Sequence, residues 1–351
     1  MTLKFASQES EPVARNAWLS PFLFVTLIVL GVLSLLIGRY EISPREVFQI
    51  LWSSFYKFEA FDDDNQWIVV QVLRLPRILL AVLSGAGLAV AGAALQGIFR
   101  NPLVGPEILG VSAGASFGGV LAMSLGLVSP AGLAPLAFMF GCGAITLAIT
   151  LSWLAGQSST IGLVLAGVIV GGLFSSLTGL VTYSADAESK LPSIVYWLMG
   201  SFARATYGQV AFAAVVALIA IPPLFALSWR INLLSLGELD ARALGLKTKK
   251  LRLAIVALAS LLVASQVAVS GGIGWVGLVI PHLARMLVGP DHVRLLPVSA
   301  LLGGIYLLLI DDLSRSLSET EIPIGLLTSL VGGPVFAIFF VRLRNRGWNN
   351  D

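Results

Sequence analysis

A chain of 351 residues that is 57% hydrophobic and 12% charged, with a mean hydropathy of +0.90, has too little polar surface to cover a soluble globule. Its net charge of +3 invites a nucleic-acid reading, but the basic residues follow membrane orientation rather than a phosphate-tracking stripe. A single cysteine, Cys142, excludes an intrachain disulfide framework or thiolate metal site, and His282 and His292 form no H-E-x-x-H motif.

Ten apolar runs follow along the chain: Trp18 to Ile37, Ile78 to Ile98, Ile108 to Val128, Leu133 to Ala155, Ile161 to Thr182, Val210 to Leu227, Leu253 to Val269, Ile273 to Val288, Leu295 to Ile310, and Ile322 to Val341. A helix needs roughly 20 residues to cross about 30 Å of hydrocarbon, and continuous apolar runs select helices over a barrel. The expectation is an all-α polytopic protein: a tail over 1–17, one membrane domain over 18–342, and a second tail over 343–351. The first run is longer than a signal-peptide core, and no small-residue cleavage site follows Gly38-Arg39-Tyr40, so it is expected to be retained.

Between the first two runs, Arg39 to Trp67 reads as an outer loop with an interfacial helix. Between the fifth and sixth, Ser184 to Gly208 contains LPSIVYWLMGSF, apolar enough to lie at the surface or dip in but too short to cross. The seventh and eighth runs are nearly continuous, so a turn at Ser270-Gly271-Gly272 has to be argued. With that turn and the N-terminus inside, 14 of the 22 lysines and arginines fall inside and 8 outside; merging the two runs gives 10 and 12. The positive-inside bias therefore favours ten spans with both termini cytoplasmic. Spans two to five and seven to ten then start on opposite faces, the parity of inverted four-helix repeats.

Gly110-Val111-Ser112-Ala113-Gly114 matches G-x-S-x-G, but a nucleophile elbow needs a strand before it, whereas this pentad opens an apolar helix. Asp311, Asp312, Glu107, His282 and Arg285 are all expected at span ends, which leaves a proton-coupled carrier without a coupling carboxylate at mid-membrane. There is no P-loop lysine, so uphill transport has to be powered in trans. The largest inner loop, from Arg230, contains LGELDARALGL at 236–246, a short amphipathic helix with Glu238 and Arg242 on one side and Leu239, Ala243 and Leu246 on the other.

The motifs RLPR at Arg74 to Arg77, GAGLAVAGAALQGIFRNPLVGPEILGVSAGA at Gly85 to Ala115, YWLMGSF at Tyr196 to Phe202, LGELDARALG at Leu236 to Gly245, GGIGWVGLVIPHLAR at Gly271 to Arg285 and EIPIGLLTSLVGGPVF at Glu321 to Phe336 together resemble the FecCD-type permease subunits of ABC importers for ferric siderophores, haem and vitamin B12. The resemblance runs from about Leu73 to Leu343. It implies the type II importer fold and a bacterial plasma (inner) membrane location. The implied partners are two copies of an ABC ATPase, a periplasmic or lipid-anchored solute-binding protein, and a second permease subunit.

The chain itself is then no enzyme and binds no cofactor; ATP and Mg sit on the partner ATPase. The resemblance further implies that Glu238, Ala241, Arg242, Leu244 and Gly245 belong to a coupling helix docked in the ATPase. Arg74, Arg77 and Arg315 become rim arginines that receive acidic knobs of the binding protein, and Ser159, Thr160 and Ile161 a cytoplasmic gate. Spans five, eight and ten line the pathway. Ferric siderophore is the leading cargo, with haem, vitamin B12 or an oxyanion such as molybdate behind it.

Overall fold

The computed structural model describes residues 18–53, 64–156 and 160–347, and every regular element among them is helical. In chain order these are α1 (Leu19–Ser34), α2 (Pro44–Ser53), α3 (Asp64–Trp67), α4 (Leu75–Phe99), α5 (Val111–Ser124), α6 (Pro130–Leu154), α7 (Thr160–Tyr183), α8 (Leu191–Leu198), α9 (Tyr207–Ala226), α10 (Ser228–Leu236), α11 (Glu238–Ala243), α12 (Thr248–Ser270), α13 (Val276–Val288), α14 (His292–Ser316) and α15 (Ile324–Gly347). Six stretches, Asn65–Phe99, α6, α7, α9, α12 and α14, are long and apolar enough to cross a bilayer, and α1, α5, α13 and Ile324–Ile338 are shorter apolar helices. The protein is a multi-pass membrane protein.

Local chemistry explains several boundaries. α9 starts at a capping box in which Thr206 accepts from the Gln209 amide and Gln209 reaches back to the Thr206 amide. α14 starts where the Asp291 carboxylate accepts the Val293 amide at 3.0 Å. α4 ends at Arg100, whose left-handed φ of 51° turns the chain toward Asn101-Pro102. At its other end α4 reaches further out than the apolar run suggests. A π-helical segment, Ile68–Arg74, joins it to α3 in one continuous stretch, so Arg74 and Arg77 lie within a helix rather than beside one.

α4 forms the centre of the bundle, packed by α9, α12, α13 and α14. The apolar window of its helix is 78% buried, against 33% for α7 and 28% for α9, which form the rim. Contact between α4 and α14 depends on Gly85 and Gly303. A Cβ on either would collide with the carbonyl oxygen of the other, so only hydrogen lets the two backbones meet. The segment expected to form an outer loop contains α2, whose Val47 and Ile50 pack with Leu35, Ile42, Val70, Ile78 and Leu308; Asp62 and Asp63 lie outside the described residues.

The third and eighth runs depart from expectation. The third is a 3-10 turn, Pro106–Leu109, followed by the 14 residues of α5, and the eighth is reduced to the 13 residues of α13. At 1.5 Å per residue each helix is about 20 Å long, short of the hydrocarbon thickness. The turn at Ser270-Gly271-Gly272 is real: α12 stops at Ser270, and Gly271, at φ 74°, lies where a side chain would strike the Trp197 carbonyl. The last helix runs past the expected boundary at 342 to Gly347.

Replacing Gly303 by Val is expected to destabilise the protein by about 1–3 kcal/mol through overpacking. Gly143→Ala, where nothing lies within 4 Å of an added Cβ, is the neutral control. Thermal melting of detergent-solubilised protein, followed by size-exclusion fluorescence, separates the two.

Candidate functional site

Where α1 and α14 end and α4 begins, the three arginines meet, but not as a free rim. Arg74, Arg77 and Arg315 are 5%, 7% and 5% exposed, which contradicts the expectation of exposed charges. Arg74 donates to the Leu35 and Tyr40 carbonyls, each at 2.5 Å. Arg77 binds Asp311 through Nε at 2.8 Å and Glu321 through Nη1 at 2.9 Å. Arg315 pairs with Asp312 and donates to the Ser34 carbonyl at 2.9 Å. Arg77 and Arg315 share Asp311, Asp312 and Glu321, and Arg74, held by carbonyls beside them, brings the cluster to formal neutrality.

The physical reason is depth. Guanidinium groups drawn below the surface need carboxylates of their own chain, and the spacing of Asp311 and Asp312 before Arg315 supplies them from the same helix face. The exposed neighbour is Arg39, donating to the Ser318 carbonyl at 3.0 Å beside a shallow depression lined by Gly38, Arg315, Ser316, Leu317 and Glu319.

At the opposite end of the bundle, α10 and α11 form the loop that leads into α12. Glu238 bridges Arg242 and, through Oε2 at 3.1 Å, Arg252 on α12. Partial burial works against its ionisation, but the hydrogen bonds and charges of Arg252 and Arg242 outweigh it and hold the carboxyl below its ordinary range. Ala241 is fully buried beneath this pair, and Gly245, at φ 82°, ends the turn.

The apolar side faces outward, not into the protein. Leu239 is 82% exposed and Leu244 59%, with Leu236 beside them. The loop is fastened to α14 by groups that the sequence did not single out: Asn232 donates to Asp291 at 2.6 Å, and its Oδ1 lies 2.8 Å from the Nδ1 of buried His292.

Of the expected gate residues, Ser159 lies outside the described residues, Thr160 opens α7, and Ile161 is 78% exposed. α7 turns Ile161, Leu165, Val168, Ile169 and Leu173 outward, an apolar face left uncovered by the described residues.

The two interrupted helices meet. Gly277, in the first turn of α13, abuts Pro106 and the Leu88 carbonyl at the middle of α4, while α7 abuts the other side of the same turn at Ile108 and Leu109. Between them lies a cavity of about 400 Å³ lined by residues that include Pro106, Glu107, Ser112, Trp275, Gly277 and Leu278. Glu107 therefore stands at mid-depth. This corrects the expectation that it sits at a span end: the Asn101 to Gly110 segment climbs back into the bundle before α5 begins. Its carboxylate lies over Gly105, where a Cβ would collide with it. Ser112 belongs to the second position of α5, with no strand before it, so the G-x-S-x-G spacing has no elbow geometry.

A helical bundle with two half-length helices meeting at a mid-membrane cavity, and an apolar loop helix at one end, defines the membrane subunit of a transporter. The FecCD transport family model matches residues 26–342, and the chain belongs to that family. The chain is similar to the molybdate import system permease protein MolB of Haemophilus influenzae, at 49% identity over 93% of this chain and 96% of the relative. It is also similar to the hemin transport system permease protein HmuU of Yersinia pestis, at 37% identity over 93% and 96%. Among solved structures, one described as an inward-facing conformation of a metal-chelate type ABC transporter superposes with a TM-score of 0.82 at 47% identity, covering 92% of this chain and 99% of the other. The protein is a transmembrane ABC transporter permease.

Truncating Arg77 to Ala leaves Asp311 buried with one fewer partner and is expected to cost about 3–5 kcal/mol, read as a lowered melting temperature; Arg39→Ala should leave the melt unchanged. For Glu238 the sign follows from its depressed folded-state pKa. Its stabilisation is present above the ordinary carboxylate value, about 4.3, and is lost as pH falls through the lower folded value. Hydrogen exchange of 237–246 should accelerate over that acid window in wild type and already at neutral pH in Glu238→Gln.

Proposed function

We propose that this chain is the permease of a binding-protein-dependent ABC importer in a bacterial inner membrane, paired with a second permease and driven by two ATPase subunits. The observation that carries this reading is the outward-facing apolar surface of α11, with Leu239 and Leu244 exposed on a helix anchored by Glu238, Arg242 and Arg252. Such a surface at the end of a membrane bundle fits insertion into a cleft of another subunit. Ten spans, cytoplasmic termini and inverted repeats agree with the charge bias and with the matching positions of the two short helices. The second helix of each four-helix set is the truncated one.

The exposed face of α7, with α15 beside the cavity, supplies the surface for the second permease. Thr160 and Ile161 at the start of that face form the cytoplasmic gate together with Ser159. The binding protein docks over the outer depression. Arg39 offers the accessible charge there, and Arg74, Arg77 and Arg315 hold the ends of α1, α4 and α14 beneath it. Nucleotide-driven closure of the ATPases moves α10 and α11, and the anchors at Arg252, Asp291 and His292 pass that movement to α12 and α14.

For cargo, we read an oxyanion of the molybdate class ahead of ferric siderophore, a reading supported by the 49% identity to a molybdate permease. An iron-bearing chelate is the second reading, favoured by the similarity to a hemin permease. A proton-coupled carrier is the rival of another class.

Radiolabelled molybdate and a ferric-siderophore panel, offered to a deletion strain complemented with this chain, test both levels. Molybdate uptake that stops on removing the ATPase, and survives collapse of the proton gradient with ATP preserved, is the expected outcome; iron uptake alone reverses the cargo order, and loss with the gradient overturns the importer reading. Leu239→Asp should abolish co-purification of the ATPase without changing the permease's own melting temperature.

A further inference from the structure

The cavity at the junction of the two interrupted helices combines opposing electrostatic features. The first turns of α5 and α13 both line it, through Ser112 on one side and Gly277 and Leu278 on the other. Helix N-termini carry partial positive charge, which favours an anion. The Trp275 side of the cavity faces α15 at Gly332 and Phe336, and its Pro106 turn abuts α7, so it opens between elements that the importer reading places along the pathway.

Into this setting the chain inserts one carboxylate, Glu107, the sole ionisable side chain among the described residues lining the cavity. No arginine or lysine lines the cavity with it. Arg285, the nearest cation on α13, is engaged instead with Gln96 at 3.1 Å. A carboxylate that faces this cavity with no cation among the described lining residues calls for a functional explanation.

We propose that Glu107 is the charge-selecting residue of the translocation cavity, an internal counter-anion that keeps the two helix N-termini from retaining an anionic cargo. Two helix ends contribute roughly one positive charge between them, and one carboxylate offsets it. A cavity of that balance lets an anion through without a resting site. With the carboxylate neutralised, the same cavity becomes an anion trap and the cargo dwells in it. This deepens the importer reading, on which the role in transport rests; the electrostatic balance itself does not depend on it.

The test is run on the full permease–ATPase complex in nanodiscs, with Cys142 replaced by Ser and Ser112 by Cys as a reporter in the same cavity. Reaction rates with a cationic and an anionic methanethiosulfonate reagent are compared with Glu107 present and with Glu107→Gln. Loss of one unit charge a few ångströms from the thiol should shift the cation-to-anion rate ratio toward the anion by about tenfold or more, whereas a purely structural role for Glu107 would change both rates together. An unchanged ratio, or no reaction with either reagent, overturns the proposal.

In parallel, equilibrium dialysis with radiolabelled molybdate should show retention by Glu107→Gln and none by wild type; equal retention also overturns it. If the thiol ratio shifts while no cargo is imported in cells, the charge balance of the cavity stands and the importer reading falls. If import is intact and the ratio does not move, the reverse holds.

Discussion

A bilayer has no water with which to satisfy a peptide group, and this chain nevertheless interrupts its helices twice at depth. Irregular backbone survives there only when buried in protein or lining a cavity. Both conditions are met at one place. The Ser201 amide donates to the Ser270 carbonyl at 2.8 Å, the Ile324 amide to Gly200 at 2.9 Å and the Gly325 amide to Met199 at 3.0 Å, so the α8 loop, the α12 break and the start of α15 satisfy one another. On the opposing side the Gly110 amide closes the 3-10 turn onto the Glu107 carbonyl at 3.1 Å. Without these pairings α5 and α13 could not start at mid-depth, and the cavity would have no walls.

The same constraint governs charge. At one end of the bundle, three arginines and three carboxylates form a neutral cluster that ties α1, α4, α14 and the segment before α15. At the other end, Glu238, Arg252, Asn232, Asp291 and His292 tie the loop helices to α12 and α14. The first cluster holds α4 and the second α12, both of which line the cavity, through Leu88 and through Val263 and Val267. Glu107 belongs to neither cluster, and the charge-selecting role proposed for it is separate from both.

Much of the architecture was legible in the chain because hydropathy is a local property. The positions of the apolar helices, the break near Gly271 and the short helix at LPSIVYWL follow from runs, glycines and length. The inner-loop helix was also foreseen, since its alternation of charged and apolar residues lies within six positions. Its orientation was not: whether Leu239 faces in or out depends on what Ala241 packs against, and that neighbour, α12, comes later in the chain.

By itself the sequence determined that this protein lives in a membrane as a helical bundle, and its motifs placed it in a transport family, because composition and short motifs carry that information without regard to folding. Tertiary structure alone decided which charges are structural and which are available. The RLPR arginines read as an exposed rim until Asp311 and Glu321, more than 230 residues away, turned out to enclose Arg77. Glu107 read as a span-end residue until the chain before α5 proved to climb back to the middle of α4. Depth and pairing are relations between distant segments, and only packing in three dimensions brings those segments together.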